Sequence, residues 1–164
     1  MSDAKSLFNE LKTFLEEADV SRAASHPLKH GAQIGIKFIG FPDEFHVVKD
    51  GKRLAVKEGA APKPDWKAEI SPAVVTAFKA MPTMDIGDLG VEVLKRMAKG
   101  VKDPHSEDAI RVHLTAGFFT ILRHGYLGIL PLGGPKVARY LSEHNLVNPM
   151  NIRRVFKKVR GNED

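Results

Sequence analysis

From Leu114 to Gly134 the chain reads LTAGFFTILRHGYLGILPLGG, its longest nearly continuous apolar run. A membrane span needs roughly 20 mostly apolar residues, so the length alone would fit one. Arg123 and His124 stand at its middle, and a charge at the bilayer centre costs about 2.5–3.5 kcal/mol on insertion scales. Gly117, Gly125, Gly128 and Pro131 interrupt any single regular helix through it. A soluble chain has to cover such a segment with the rest of its fold or with a ligand. The reading adopted is that both occur: the segment lines an apolar cavity and the polar remainder of the chain builds the shell.

That remainder is sufficient for one domain. The chain has 164 residues, a length at which folding buries about 70% of the surface of the unfolded chain without covalent staples. It contains no cysteine, which excludes disulfides and thiolate metal sites and fits a reducing compartment. The N-terminus has no basic region followed by an apolar run, so cytoplasmic residence is the expectation. Net charge is +5 and the sequence pI about 9.5. Much of that basicity lies in Arg153, Arg154, Lys157, Lys158 and Arg160, which suits either nucleic acid or an anionic membrane surface.

Local periodicity supplies the elements. Leu7, Phe8, Leu11, Phe14, Leu15 and Ala18 recur at helical spacing, with Asp3 or Ser2 as cap. Residues Ser21 to Gly31, with Pro27 and two histidines, read as a linker. Ile34, Ile36 and Phe38 alternate with Gly35 and Lys37 as a half-buried strand. Two more strands flank Asp50-Gly51, a pair suited to the central positions of a two-residue hairpin turn. Trp66, Ala68 and Ile70 alternate as a fourth strand, and Ile110, Val112 and Leu114 as a fifth. Between these, Ser71-Pro72 opens a helix carrying Val74, Val75 and Phe78. A further helix runs from about Asp85 to Ala98, with Gly100 as its stop. Gly133-Gly134-Pro135 opens another with Val137, Tyr140 and Leu141, and Asn148-Pro149 a last one with Ile152, Val155, Phe156 and Val159. A strand meander followed by helices and a final strand is an α+β arrangement.

The order of these pieces carries a resemblance. A hairpin at Asp50-Gly51, Pro64-Asp65 leading into a strand, helices, and then AIRVHLTAG from Ala109 to Gly117 together resemble the sterol carrier protein 2 family of lipid-binding domains. The likeness covers roughly residues 31–132. It departs from the family pattern in a proline-rich strand connection and in a fifth strand that only partly keeps the usual lysines and flanking glycines. The resemblance implies a mixed, mainly antiparallel five-stranded sheet covered by helices, with an apolar cavity between them. It also implies a lipid ligand: a sterol, a fatty acyl chain, or an isoprenoid of the quinone type, since the family includes accessory proteins of bacterial quinone biosynthesis. Residues 1–30 then form an N-terminal helix and linker, and residues 133–164 are C-terminal helices with a basic tail on the same domain. The expected lipid contacts are Val74, Phe78, Val93, Leu94, Met97, Phe118, Phe119, Leu122, Arg123, Tyr126, Leu127 and Leu130. Spacing alone reads Val74, Phe78, Val93, Leu94, Met97, Phe119, Leu122, Leu127 and Leu130 as ordinary close-packed core.

Catalytic patterns are not evident in the sequence. Gly133-Gly134-Pro135-Lys136 at a helix start suits a phosphate or is a plain turn. His26 and His30 lie four apart with Pro27 between them and no evident third ligand. Asp85 and Asp88 fit the start of a helix, where carboxylates complement its dipole. Ser71, Ser106 and Ser142 lack a nucleophile elbow. Arg123-His124 reads either as a head-group clamp at a cavity mouth or as a solvated face along which Arg123 snorkels. The expectation is therefore a lipid binder or carrier that is not an enzyme and uses no metal or other cofactor. A second reading is a basic module that binds a partner or nucleic acid through its C-terminal segment. Aromatics for base stacking are scarce there, which disfavours nucleic acid. That segment also reads as a basic amphipathic helix. Arg153, Arg154, Phe156, Lys157 and Lys158 would contact a membrane reversibly, or its apolar stripe would pack on the domain.

Overall fold

Strands with period-2 alternation need a covered face, and the chain supplies the cover with helices on one side. In the computed structural model, residues 3–80, 85–103 and 105–144 are described. They form strands β1 Gln33–Phe38, β2 Glu44–Asp50, β3 Arg53–Glu58, β4 Trp66–Ile70 and β5 Ile110–Leu114. The helices are α1 Ala4–Glu17, α2 Asp19–Ser25, α3 Pro72–Lys79, α4 Ile86–Lys102, α5 Phe118–Arg123 and α6 Gly134–Glu143, with a 3₁₀ segment Tyr126–Gly133 between the last two. The sheet order is β3-β2-β1-β4-β5. β1 and β4 run parallel and the other pairs antiparallel. This is an α+β fold with a mixed five-stranded sheet.

Register puts the apolar residues on one face. Ile36 lies opposite both Phe45 and Ala68, and Ile70 opposite both Phe38 and Ile110. All of these are buried, as are Val47 and Val56. The opposite face carries Lys37, Lys57, Lys67, Glu69, Arg111 and His113, with an ion pair of 3.0 Å between Arg111 Nε and Glu69 Oε2. α1 begins at Asp3, whose carboxylate accepts the Ser6 N–H at 2.7 Å. It buries Leu7, Phe8, Leu11 and Phe14. Phe8 stacks on Phe45 at 4.5 Å and Phe14 on Phe78 of α3 at 5.6 Å. α4 packs on β5, on α6 and on the 3₁₀ segment.

Three local expectations are corrected. The supposed linker after residue 20 begins within helix α2, because Val20, Ser21 and Ser25 are buried there and the Ser21 hydroxyl donates to the Leu15 carbonyl at 2.8 Å. The hairpin turn falls one residue later than Asp50-Gly51: Asp50 still pairs with Arg53, and Gly51 takes the positive φ, 58°. The Gly51 N–H donates to His30 Nδ1 at 3.0 Å, which fixes the turn against the preceding loop. Gly100 does not stop α4, which continues to Lys102. It serves close approach instead, since a Cβ at Gly100 would stand 2.3 Å from the Ile110 carbonyl oxygen. The helix expected beyond Asn148 falls outside the described residues, and with it Arg153, Arg154, Phe156, Lys157 and Lys158.

One inward-facing residue departs from the apolar pattern. Lys49 follows Phe45 and Val47 on the covered face of β2 and is 3% exposed. Its ammonium donates to the Ser25 carbonyl at 2.8 Å. Among the described residues no carboxylate pairs with it, and burial pushes its pKa down.

Candidate functional site

The apolar run is divided in two. α5 follows β5 directly and ends at His124, where Gly125 turns the chain with φ 86°. No other residue fits Gly125, because a Cβ would stand 2.1 Å from the Pro27 carbonyl oxygen. The 3₁₀ segment then runs to Gly133.

A buried carboxylate fixes this break to the sheet. Asp65, 3% exposed, immediately precedes β4. Its Oδ2 lies 2.7 Å from His124 Nδ1, and accepts the Tyr126 hydroxyl at 2.7 Å and the Gln33 N–H at 3.1 Å. The Asp65 carbonyl accepts the N–H groups of Thr115 and Ala116, and the Thr115 hydroxyl donates to the Pro64 carbonyl. Tyr126 also packs edge-on against Trp66 at 6.1 Å. Burial, and then the hydrogen bond to Asp65, push the Tyr126 hydroxyl far above its ordinary pKa, so it remains a neutral donor. Removing one member of this buried network costs about 1–3 kcal/mol, because its partners are left unsatisfied. The arrangement holds backbone in place. His124 accordingly points inward to Asp65, and only Arg123 of the Arg123-His124 pair is exposed.

The expected contact residues fall into three environments. Val74 and Phe78 belong to the close-packed core beside α1. Val93, Leu94, Met97, Tyr126, Leu127 and Leu130 are half-buried, on α4 and the 3₁₀ segment that packs on it. Phe118, Phe119 and Leu122 are exposed on α5, Phe119 to 82%. These last three lie on the outside of the helix layer, since Ile121 takes the inward position on so short a helix. The structure outlines a depression of about 510 Å³ along α1, lined by polar residues such as Asp3, Asn9 and Thr13. A second, of about 180 Å³, lies on the uncovered face of the sheet below Ala60 and Ala61. Neither touches the twelve expected residues, and neither is the enclosed apolar cavity expected between sheet and helices.

The other polar candidates have local roles. Asp85 caps α4, its Oδ1 accepting the N–H groups of Gly87 and Asp88, and these bonds hold its carboxyl below the usual range. Lys136, at the helix start that reads as a plain turn or a phosphate site, reaches Asp88 at 2.9 Å and Asp85 at 3.7 Å, which ties α6 to α4. Ser71 caps α3 and donates to the Glu107 carbonyl. His26 ends α2, and His30 is taken up by the hairpin turn. Among the described residues no group of three histidine or carboxylate side chains is placed to hold a metal ion, and no helix is long and apolar enough to cross a membrane. In the sequence Asp65 stands out only as part of the Pro64-Asp65 motif, and the inward side of Lys49 is easily missed. The alternation Phe45, Val47, Lys49 was the available signal for the latter.

No family model matches the chain, and no curated protein matches it. Among solved structures it is similar to one described as a UbiJ-SCP2 ubiquinone synthesis protein. That likeness has 12% sequence identity and a TM-score of 0.44, and covers 81% of this chain and 95% of the other.

Proposed function

We propose that this chain is a non-enzymatic lipid-binding protein whose ligand completes the unevenly covered half of its helix layer. The observation behind this reading is a contrast in packing. Beside α1 and α3 the apolar side chains are nearly inaccessible, Val74 at 0% and Val75 at 1%. Around α4, β5 and the 3₁₀ segment Leu89 and Ile110 are buried, but Val93, Leu94, Met97, Val112, Leu127 and Leu130 are only half-buried. Covering apolar surface gains about 25 cal/mol per Å², or roughly 0.8 kcal/mol for each CH₂ group removed from water. An acyl or isoprenoid chain, or a sterol, laid along this half would gain enough to stay without covalent chemistry. The order of motifs that resembles the sterol carrier protein 2 family supports the same ligand class.

The test is uptake of a fluorescent fatty acid or sterol probe by the delipidated protein. Saturable uptake is expected, with Leu94→Gln weakening it while the far-ultraviolet circular dichroism stays that of the parent. No uptake of either probe would remove the reading.

A further inference from the structure

We propose that α5 is a docking element for an anionic lipid bilayer surface, separate from the half-buried region that would hold the ligand. Ile121 anchors the helix inward at 6% exposure, which leaves Phe119 and Leu122 directed outward, 82% and 48% exposed. Phe119 and Leu122 are three apart and Phe119 and Arg123 four apart, so the two apolar tips and the cation share one side of the helix. Exposed aromatic and leucine side chains beside a cation match the depth profile of a membrane interface, where apolar tips enter the acyl boundary and an arginine snorkels to the head groups.

Charge selects the partner. The Lys29 N–H donates to the His124 carbonyl at 2.9 Å, which places Lys29 at the C-terminal end of α5 beside Arg123. Both side chains are exposed, and among the described residues neither has a carboxylate partner. The other cations of this stretch are paired, Arg111 with Glu69, Lys136 with Asp85 and Asp88, and Arg139 with Glu143, which distinguishes Arg123 and Lys29 from them. An apolar patch flanked by the exposed cations Arg123 and Lys29 attracts anionic head groups. The Asp65 contacts hold the break after α5 against the sheet, so the patch is presented on a fixed support.

The experiment is cosedimentation of the full chain with vesicles of phosphatidylcholine, with and without phosphatidylglycerol. Wild type, Phe119→Ser/Leu122→Ser and Arg123→Gln are compared. Binding is expected to the anionic vesicles and to fall about tenfold or more in the double variant. Arg123→Gln is expected to weaken anionic-vesicle binding several-fold and to leave binding to pure phosphatidylcholine unchanged. All substituted side chains are exposed, so melting temperatures should match the wild type, and a matched melt with full vesicle binding in the double variant overturns the proposal. Binding that is lost only when residues 145–164 are removed also overturns it, since the contact then lies in that segment. So does a wild-type dimer that the double variant converts to monomer, which would show the patch covered by a second copy. Probe uptake, which tests the ligand reading, is measured without vesicles, so failure of that reading is scored separately.

Discussion

A buried ammonium without a carboxylate is a net cost to the fold, and Lys49 is such a group. Its bond to the Ser25 carbonyl returns only part of the hydration it loses. That carbonyl also accepts the Leu28 N–H, so it keeps a partner if the lysine is removed. Lys49→Met is therefore expected to stabilise the protein by about 1 kcal/mol, a rise of roughly 2–4 °C in melting temperature. The pH dependence has a definite sign. Burial lowers the folded pKa of Lys49 below its ordinary value of 10.5. Below the lowered value the amine is charged in both states and the burial cost is fully present. As pH rises through that value the folded amine becomes neutral while the unfolded chain keeps its proton, so wild-type stability recovers. The advantage of Lys49→Met should thus shrink on approach to pH 10.5, as read by denaturant melts across alkaline pH. An advantage that grew with pH would contradict the assignment.

Among the elements, α4 shows where sequence rules hold and where tertiary contact overrides them. Its start was legible, because Asp85 has the side chain that first-turn amides require. Its end was not. Glycine normally reads as a stop, but the backbone of β5 lies against Gly100. Gly100→Ala makes the conflict measurable. Helix propensity alone predicts a gain of about 1 kcal/mol, whereas overpacking against Ile110 predicts a loss of about 1–3 kcal/mol. The loss is expected to win and to lower the melting temperature by several degrees. A more stable variant would show that α4 moves freely from β5. The strands were legible for a simple reason: with period 2, residues such as Ile34, Ile36 and Phe38 declare one buried face. α2 was hidden because so short a helix depends on burying Val20 and Ser25 rather than on its own propensity. The contacts of Asp65 with His124 and Tyr126 were hidden by separations of 59 and 61 residues, which no local pattern reports.

At the scale of the molecule, α1 and α3 cover a close-packed half, and α4 with the 3₁₀ segment a less completely covered one. The central claim is that lipid completes the second half. Its most direct measurement is organic extraction of the protein purified from its native host, followed by mass spectrometry of the extract. The account predicts a sterol, acyl or isoprenoid lipid that co-purifies in a fixed ratio to the protein and is displaced by the fluorescent probe. An extract with no lipid above the level of an unrelated protein purified in parallel would contradict it.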